Sequence, residues 1–172
     1  IPRISVSTNE KGHKLDLQKD QNVPEVINSD PVRITQVLMN LLSNANKFTK
    51  KGTIDIFISS LNKNKNKSSI IFEVRDNGIG IENNAQNKIF ESFTQASSST
   101  TRKFGGTGLG LPICKRIIEI MDGKIWVKSQ KGKGASFFFE LHINHKEVTK
   151  PTKSKKEFTC LINEDFDMKQ LM

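Results

Sequence analysis

The chain is expected to fold as a two-layer α/β sandwich: one mixed sheet with helices on one face. Three observations predict this. Apolar residues recur at helical spacing in two stretches, Ile34–Ala45 and Leu109–Met121. Apolar residues recur at every second position, as in half-buried strands, at Ile54, Ile56 and Ile58 and at Ile70, Phe72 and Val74. Helices and hairpins also interleave without a strict β–α–β repeat, which favours a mixed sheet over a doubly wound parallel one.

Taken in order, residues 4–19 form a strand pair around a turn at Asn9–Lys14. Asp30 suits a helix cap, and Pro31 suits the first helical position, where its missing N–H would have been unpaired anyway. Ile34, Val37, Leu38, Leu41, Leu42 and Ala45 then make one apolar stripe. Lys47, Lys50 and Lys51 fit the negative end of that helix, and Gly52 lies just past it. Ile54, Ile56, Ile58 and Ile70, Phe72, Val74 mark two strands, with the polar run NKNKNKS at 62–68 as the hairpin loop between them. A short helix is expected over Gln86–Phe93, with Phe90 and Phe93 as packing residues, followed by a mobile loop at 96–104. Leu109–Met121 is a second long helix that buries Ile113, Ile117, Ile118 and Met121 and stops at Gly123. Lys124–Gln130, a KGKG turn and Ala135–Ile143 close the domain as a hairpin.

At 172 residues the chain has room for one domain with an ordinary core. No apolar run approaches the ~20 residues of a membrane helix and no secretory leader opens the chain, so direct membrane contact is not expected. The first residues, IPRISVS, lack a Met and read as the start of a piece of something larger. Cys114 and Cys160 have no metal or redox spacing, and a reducing, cytoplasmic setting is expected. A net charge of +9 raises nucleic-acid binding as a class. The charges are scattered, however, and no aromatic residues interleave with the lysines of 62–68 to stack bases. Nucleic acid is therefore not an expected partner, and some of the charge suits an anionic nucleotide. His13, His142 and His145 are expected at the surface. After residue 145 the texture changes. Residues 146–157, with five lysines, read as a linker, and 158–172 as a short apolar strand running into an acidic pair and a helix start.

Four segments carry chemistry: NLLSNANKFT at 40–49, DNGIGI at 76–81, IFESFTQ at 89–95 and GGTGLGL at 105–111. Asn40, Asn44 and Lys47 share one helix face beside the apolar stripe. Amide oxygens are hard ligands for Mg²⁺, and a lysine is a point charge for phosphate. The same asparagines would equally decorate a solvent face in an Asn-rich chain, and their company with the other segments favours the site. Asp76 precedes Asn77–Gly78, which is turn chemistry; it also offers a carboxylate to an adenine amine, with Gly78 and Gly80 admitting the base. Gly105, Gly106, Gly108 and Gly110 lead into a helix whose free N–H groups suit a triphosphate, without the spacing of a P-loop or a dinucleotide fingerprint. Arg102 and Lys103 fit a lid that closes on the γ-phosphate and fit solvated charges equally well.

The stretches DPVRITQVLMNLLSNANKFT, DNGIGI, IFESFTQASSSTTRKFGGTGLGLPICKRI and GKGASFFFEL together resemble the catalytic and ATP-binding domain of sensor histidine kinases, especially the hybrid type. The resemblance covers about Asp30–Leu141 and implies a Bergerat-type fold over residues 1–145, with ATP and Mg²⁺ as cofactors. It implies Asn44 as chief Mg²⁺ ligand assisted by Asn40, Lys47 on phosphate and Phe48 against the adenine. Asp76 would hold the adenine amine with help from Ser136. The loops would contribute Gly78, Gly80, Ile81, Gly105, Gly106, Thr107, Gly108, Leu109, Gly110 and Leu111, and Arg102 would join Asn44 and Lys47 in catalysis. ATP-hydrolysing members of the superfamily carry a water-activating Glu where this chain has Asn40, so the site is expected to hold ATP until a histidine arrives. Asn46 and Pro112 depart from the usual pattern without touching that chemistry. The phospho-accepting histidine is missing, so the expected partners are a histidine-bearing dimerisation domain of a homodimeric parent and a downstream receiver domain. CLINEDFDMKQLM resembles the start of such a receiver, with Glu164 and Asp165 at its acidic pair. The alternative is a degenerate nucleotide-binding regulatory module.

Overall fold

A computed structural model describes residues 3–8, 13–24, 27–64, 67–91 and 108–144. Six strands make one sheet: β1 (Arg3–Thr8), β2 (His13–Lys19), β3 (Thr53–Asn64), β4 (Lys67–Asp76), β5 (Lys124–Ser129) and β6 (Ala135–Asn144). Their order across the sheet is β1-β2-β3-β4-β6-β5. β2 and β3 run parallel, and every other neighbouring pair is antiparallel. A parallel pair needs a crossover, and α1 (Pro31–Phe48) provides it. The other helices are α2 (Asn83–Gln86) and α3 (Gly110–Ile120).

Asp30 starts α1 as expected: its Oδ1 accepts the N–H groups of Val32 and Arg33 at 3.0 and 3.1 Å, a cap worth ~1 kcal/mol. Ile34, Val37, Leu41, Leu42 and Ala45 are buried and Leu38 packs beside them. The helix ends at Phe48, where the Thr49 N–H still reaches the Ala45 carbonyl. Gly52 serves a different purpose from stopping α1. Its missing Cβ makes room for the Asn77 amide, whose Oδ1 accepts the Thr53 N–H at 3.1 Å and so ties the start of β3 to the end of β4.

The inward side of the sheet presents Ile54, Ile56 and Ile58 from β3, Ile70, Phe72 and Val74 from β4, and Phe137, Phe139 and Leu141 from β6. Phe72 and Phe139 stack at its centre, 4.5 Å between ring centroids. On the outward side Trp126 stacks on Phe138, while Arg75 and Lys128 lie over the rings of Phe57 and Phe138.

Four expectations are corrected. The run at 62–68 is mostly strand: β3 reaches Asn64 and β4 begins at Lys67, with a bulge between Asn62 and Asn64. β4 also pairs with β6 out to Lys67↔Asn144, so ladder hydrogen bonds on its other edge hold these polar residues extended. The short helix comes earlier, at Asn83–Gln86, and turns carry the chain on to Phe90, which packs edge-on against Phe137. Ile113 is 45% exposed, because Cys114, Ile117 and Ile118 form the inward stripe of α3. Burial pushes the Cys114 thiol up to about 12. His13 is buried at the start of β2, on the same side as Leu15, rather than at the surface.

The turn residues 9–12, Phe93, the loop 96–104 with Arg102 and Lys103, Gly105, Gly106, Thr107, His145, the linker 146–157 and residues 158–172, including Cys160, Glu164 and Asp165, lie outside the described residues. Among the described residues no helix is long and apolar enough to cross a membrane.

Candidate nucleotide-binding site

The α1 face beside the core carries half-buried Asn40, Asn44 and Lys47. One helical turn separates the two asparagines, and the Asn44 Nδ2 donates to the Asn40 Oδ1 at 3.4 Å. Lys47 lies over the ring of Phe48, 5.1 Å from its centroid, which gathers a cation and an aromatic face at the end of the helix.

β4 delivers Asp76 to the same end of α1. Asp76 is only 7% exposed. Its Oδ1 accepts the Gly78 N–H at 2.8 Å, and its carboxylate also accepts the Ala135 N–H from β6. Burial raises its carboxyl above the ordinary 3.8, and these two amide donors pull in the opposite direction. A carboxylate offers about four acceptor positions, so capacity remains for a further N–H donor.

The loop that follows is held by backbone on both sides. Toward α1, the Ile79 N–H reaches the Phe48 carbonyl at 3.4 Å. Toward the β5–β6 turn, Gly132 N–H donates to the Ile79 carbonyl at 2.8 Å. The Ile81 N–H donates to the Ser129 Oγ at 2.8 Å, and that hydroxyl donates onward to the Gly134 carbonyl at 2.7 Å. Gln86 completes the frame by donating to the Ser129 carbonyl at 2.8 Å. Two glycines here are obligatory. Gly80 and Gly134 adopt φ of +66° and +86°, and a Cβ on either would meet a backbone oxygen, Gln130 O at 2.1 Å or Asp76 O at 2.0 Å.

The third wall is the start of α3. Gly108 has φ +70°, and Leu109 occupies the cap position without a side-chain cap hydrogen bond among the described residues. Helix amides left without a cap, together with the positive end of the dipole, suit an anion. Gly110 lies against Asn40, and Leu111 packs into the core.

Contacts therefore join Gly110, Asn40 and Asn44 at one end, and Lys47, Phe48, Gly78 and Asp76 at the other, with α1 as the common spine. Ser136 is not brought to Asp76. The residue paired with Asp76 is Ala135, while Ser136 pairs with Arg75 and by strand alternation lies on the outward face. Asn77, Gln86 and Ser129 hold the loop and were not among the expected site residues. Each acts on backbone far away in the chain, a relation that local spacing does not carry.

The chain is similar to known proteins over most of its length. The family described as histidine kinase-, DNA gyrase B-, and HSP90-like ATPase matches residues 29–145. The chain is 38% identical over 144 residues to the signal transduction histidine-protein kinase BarA of Escherichia coli (strain K12), covering 84% of this chain and 16% of that protein. It is 44% identical over 138 residues to hybrid signal transduction histidine kinase B of Dictyostelium discoideum, covering 80% of this chain and 7% of that one. This chain thus spans a small part of the length of both relatives. Among solved structures, full-length ShkA in complex with AMPPNP superposes with a TM-score of 0.66 at 32% identity, covering 78% of this chain and 27% of that one. The nucleotide-free catalytic domain of histidine kinase ThkA gives 0.57 at 29% identity, covering 76% and 80%. The match over residues 29–145, well over half of the sequence, places the chain in the histidine kinase-, DNA gyrase B-, and HSP90-like ATPase family.

Proposed function

We propose that this chain is the ATP-binding catalytic domain of a two-component sensor histidine kinase, spanning about residues 1–145 and followed by a linker and a receiver domain. It presents Mg-ATP to a histidine on a dimerisation domain of the same homodimeric, cytoplasmically facing parent. The observation that carries the reading is Asp76: a buried carboxylate, held by the Gly78 and Ala135 amides, beside the end of the helix that displays Asn40, Asn44 and Lys47. A buried carboxylate is costly unless its oxygens are hydrogen-bonded, and an adenine amine adds a third donor to the Gly78 and Ala135 amides.

In this reading Asp76 selects the base, and Phe48, Gly78, Gly80 and Ile81 shape the space around it. Asn44, assisted by Asn40, offers neutral hard oxygen to Mg²⁺, which keeps most of its other ligands from water and phosphate. Lys47 and the start of α3, from Gly108 to Leu111, meet the phosphates; Arg102, Gly105, Gly106 and Thr107, which lie outside the described residues, are assigned to the same task by the sequence resemblance alone. A bound magnesium ion supplies charge neutralisation at the triphosphate. Position 40 holds an amide with no basic atom, so this chain has nothing there to take a proton from water. Binding and orientation are what the residues contribute, and phosphoryl transfer asks for little else.

The test is to mix the chain with a separately made histidine-bearing dimerisation helix pair and ATP labelled at the γ-phosphate. Label on the histidine is the expected outcome. Binding without transfer would instead favour a nucleotide-binding regulatory module, and steady phosphate release an ATPase.

A further inference from the structure

Gly110 poses a question that the backbone does not answer. Gly80, Gly108, Gly132 and Gly134 occupy the left-handed region, and Gly110 does not. It is the first residue of α3, where alanine is the better helix former. What glycine provides there is space. A Cβ at Gly110 would stand 2.5 Å from Oδ1, 2.9 Å from Nδ2 and 3.1 Å from Cγ of Asn40. All three nearest atoms belong to that one side-chain amide, whereas the nearest atoms to Gly78, Gly80 and Gly134 are backbone oxygens.

The amide seated against Gly110 is already engaged. Its Oδ1 accepts the Asn44 Nδ2 at 3.4 Å. An asparagine amide carries its donor and its acceptor on opposite sides of one planar group. Committing the Asn44 Nδ2 to Asn40 therefore turns the Asn44 Oδ1 the other way and fixes which atom faces outward from the pair.

We propose that Asn40 is a positioning residue rather than a metal ligand: seated against Gly110, it orients the Asn44 amide so that the Asn44 oxygen faces the metal-bound nucleotide, and Gly110 is glycine to leave it room. The role of the Asn44 oxygen rests on the nucleotide reading above; the contact between α1 and α3 does not. α3 thereby reaches the metal end of the site through the Asn40 side chain, and a methyl group on Gly110 acts on Asn44 at one remove.

The experiment is a pair of double-mutant cycles on this chain, read by thermal midpoint and by calorimetric affinity for Mg-AMPPNP. With Asn40 present, G110A weakens nucleotide binding roughly tenfold, the scale of one hydrogen bond, and does not raise the midpoint. In the N40A background the methyl has room, so G110A raises the midpoint as alanine in a helix does and changes affinity less than about twofold. N40A alone weakens binding roughly tenfold, and added to N44A it costs nothing more, because Asn40 acts only through Asn44. If G110A fails to fold, recovery of the fold in G110A/N40A supports the contact equally well. Equal rises in midpoint in both backgrounds would overturn the proposal, as would losses for N40A and N44A that multiply, which is how two independent ligands behave. Failure of the unmodified chain to bind nucleotide sinks the functional reading and the role of the Asn44 oxygen together; the midpoint cycle still decides the Gly110–Asn40 contact by itself.

Discussion

The two ends of the candidate site are held by different materials. At the Asp76 end the loop 76–81 is clamped largely by main chain: Phe48 O on one side, the β5–β6 turn on the other, and glycines with no room for a Cβ against backbone oxygens, with the Ser129 hydroxyl and the Gln86 amide bracing that backbone. At the Asn40–Asn44 end the contacts run between side-chain amides and one helical glycine. Backbone clamps are part of the fold, so disturbing them costs stability. Side-chain contacts adjust, so disturbing them costs function while the fold survives. This difference suits a rigid seat for a base and a tunable seat for a metal and phosphates.

The largest expected effect breaks the rigid end. Gly134→Ala adds strain at φ +86° to a collision 2.0 Å from the Asp76 carbonyl, and urea unfolding should register a loss of about 3 kcal/mol or more. A loss under about 1 kcal/mol would mean that the clamp is soft. Next comes Asp76→Asn, which keeps the shape and removes the charge. Its affinity for Mg-ATP should fall by about 2 kcal/mol, near thirtyfold, with the circular dichroism spectrum unchanged. Affinity equal to that of the unmodified chain would remove Asp76 from the site.

Ser129→Ala sharpens the contrast at smaller scale. It deprives the Ile81 N–H of its acceptor and the Gly134 carbonyl of a donor, and should cost about 1–2 kcal/mol in stability with little direct effect on the metal end. Smallest is a pH effect. Burial raises the Asp76 carboxyl above 3.8, so folding favours its protonated form. Its contribution is complete below the unfolded value and is lost as pH rises through the folded one. Stability relative to Asp76→Asn should therefore decline from acid toward neutral pH, and a difference that grows over that range would reverse the assignment.

Much of the rigid end was legible in the sequence because its signals are local. Asp30, Pro31 and the stripe from Ile34 to Ala45 mark α1 by capping and period, and DNGIGI marks a turn that must pass close to something. What the sequence hid was long-range. Phe137, Phe138 and Phe139 are equally apolar, so the phase of β6 is masked. Only the pairing Asp76↔Ala135 reveals that Ser136 points away from the site. Asn77, Gln86 and Ser129 look like ordinary polar surface until the backbone groups they satisfy arrive from 24 to 48 residues away. The polar run at 62–68 reads as loop by composition, and its strand character comes from β6 on the other edge of β4.

Calorimetric titration of this chain with AMPPNP, with Mg²⁺ and again after chelation, tests most directly whether the site holds a metal-bound nucleotide. Saturable one-to-one binding is expected, weakening roughly tenfold or more when the metal is removed, because in the proposed site the Asn44 oxygen and the phosphates would share the ion. No saturable binding, or an affinity indifferent to the metal, would contradict it.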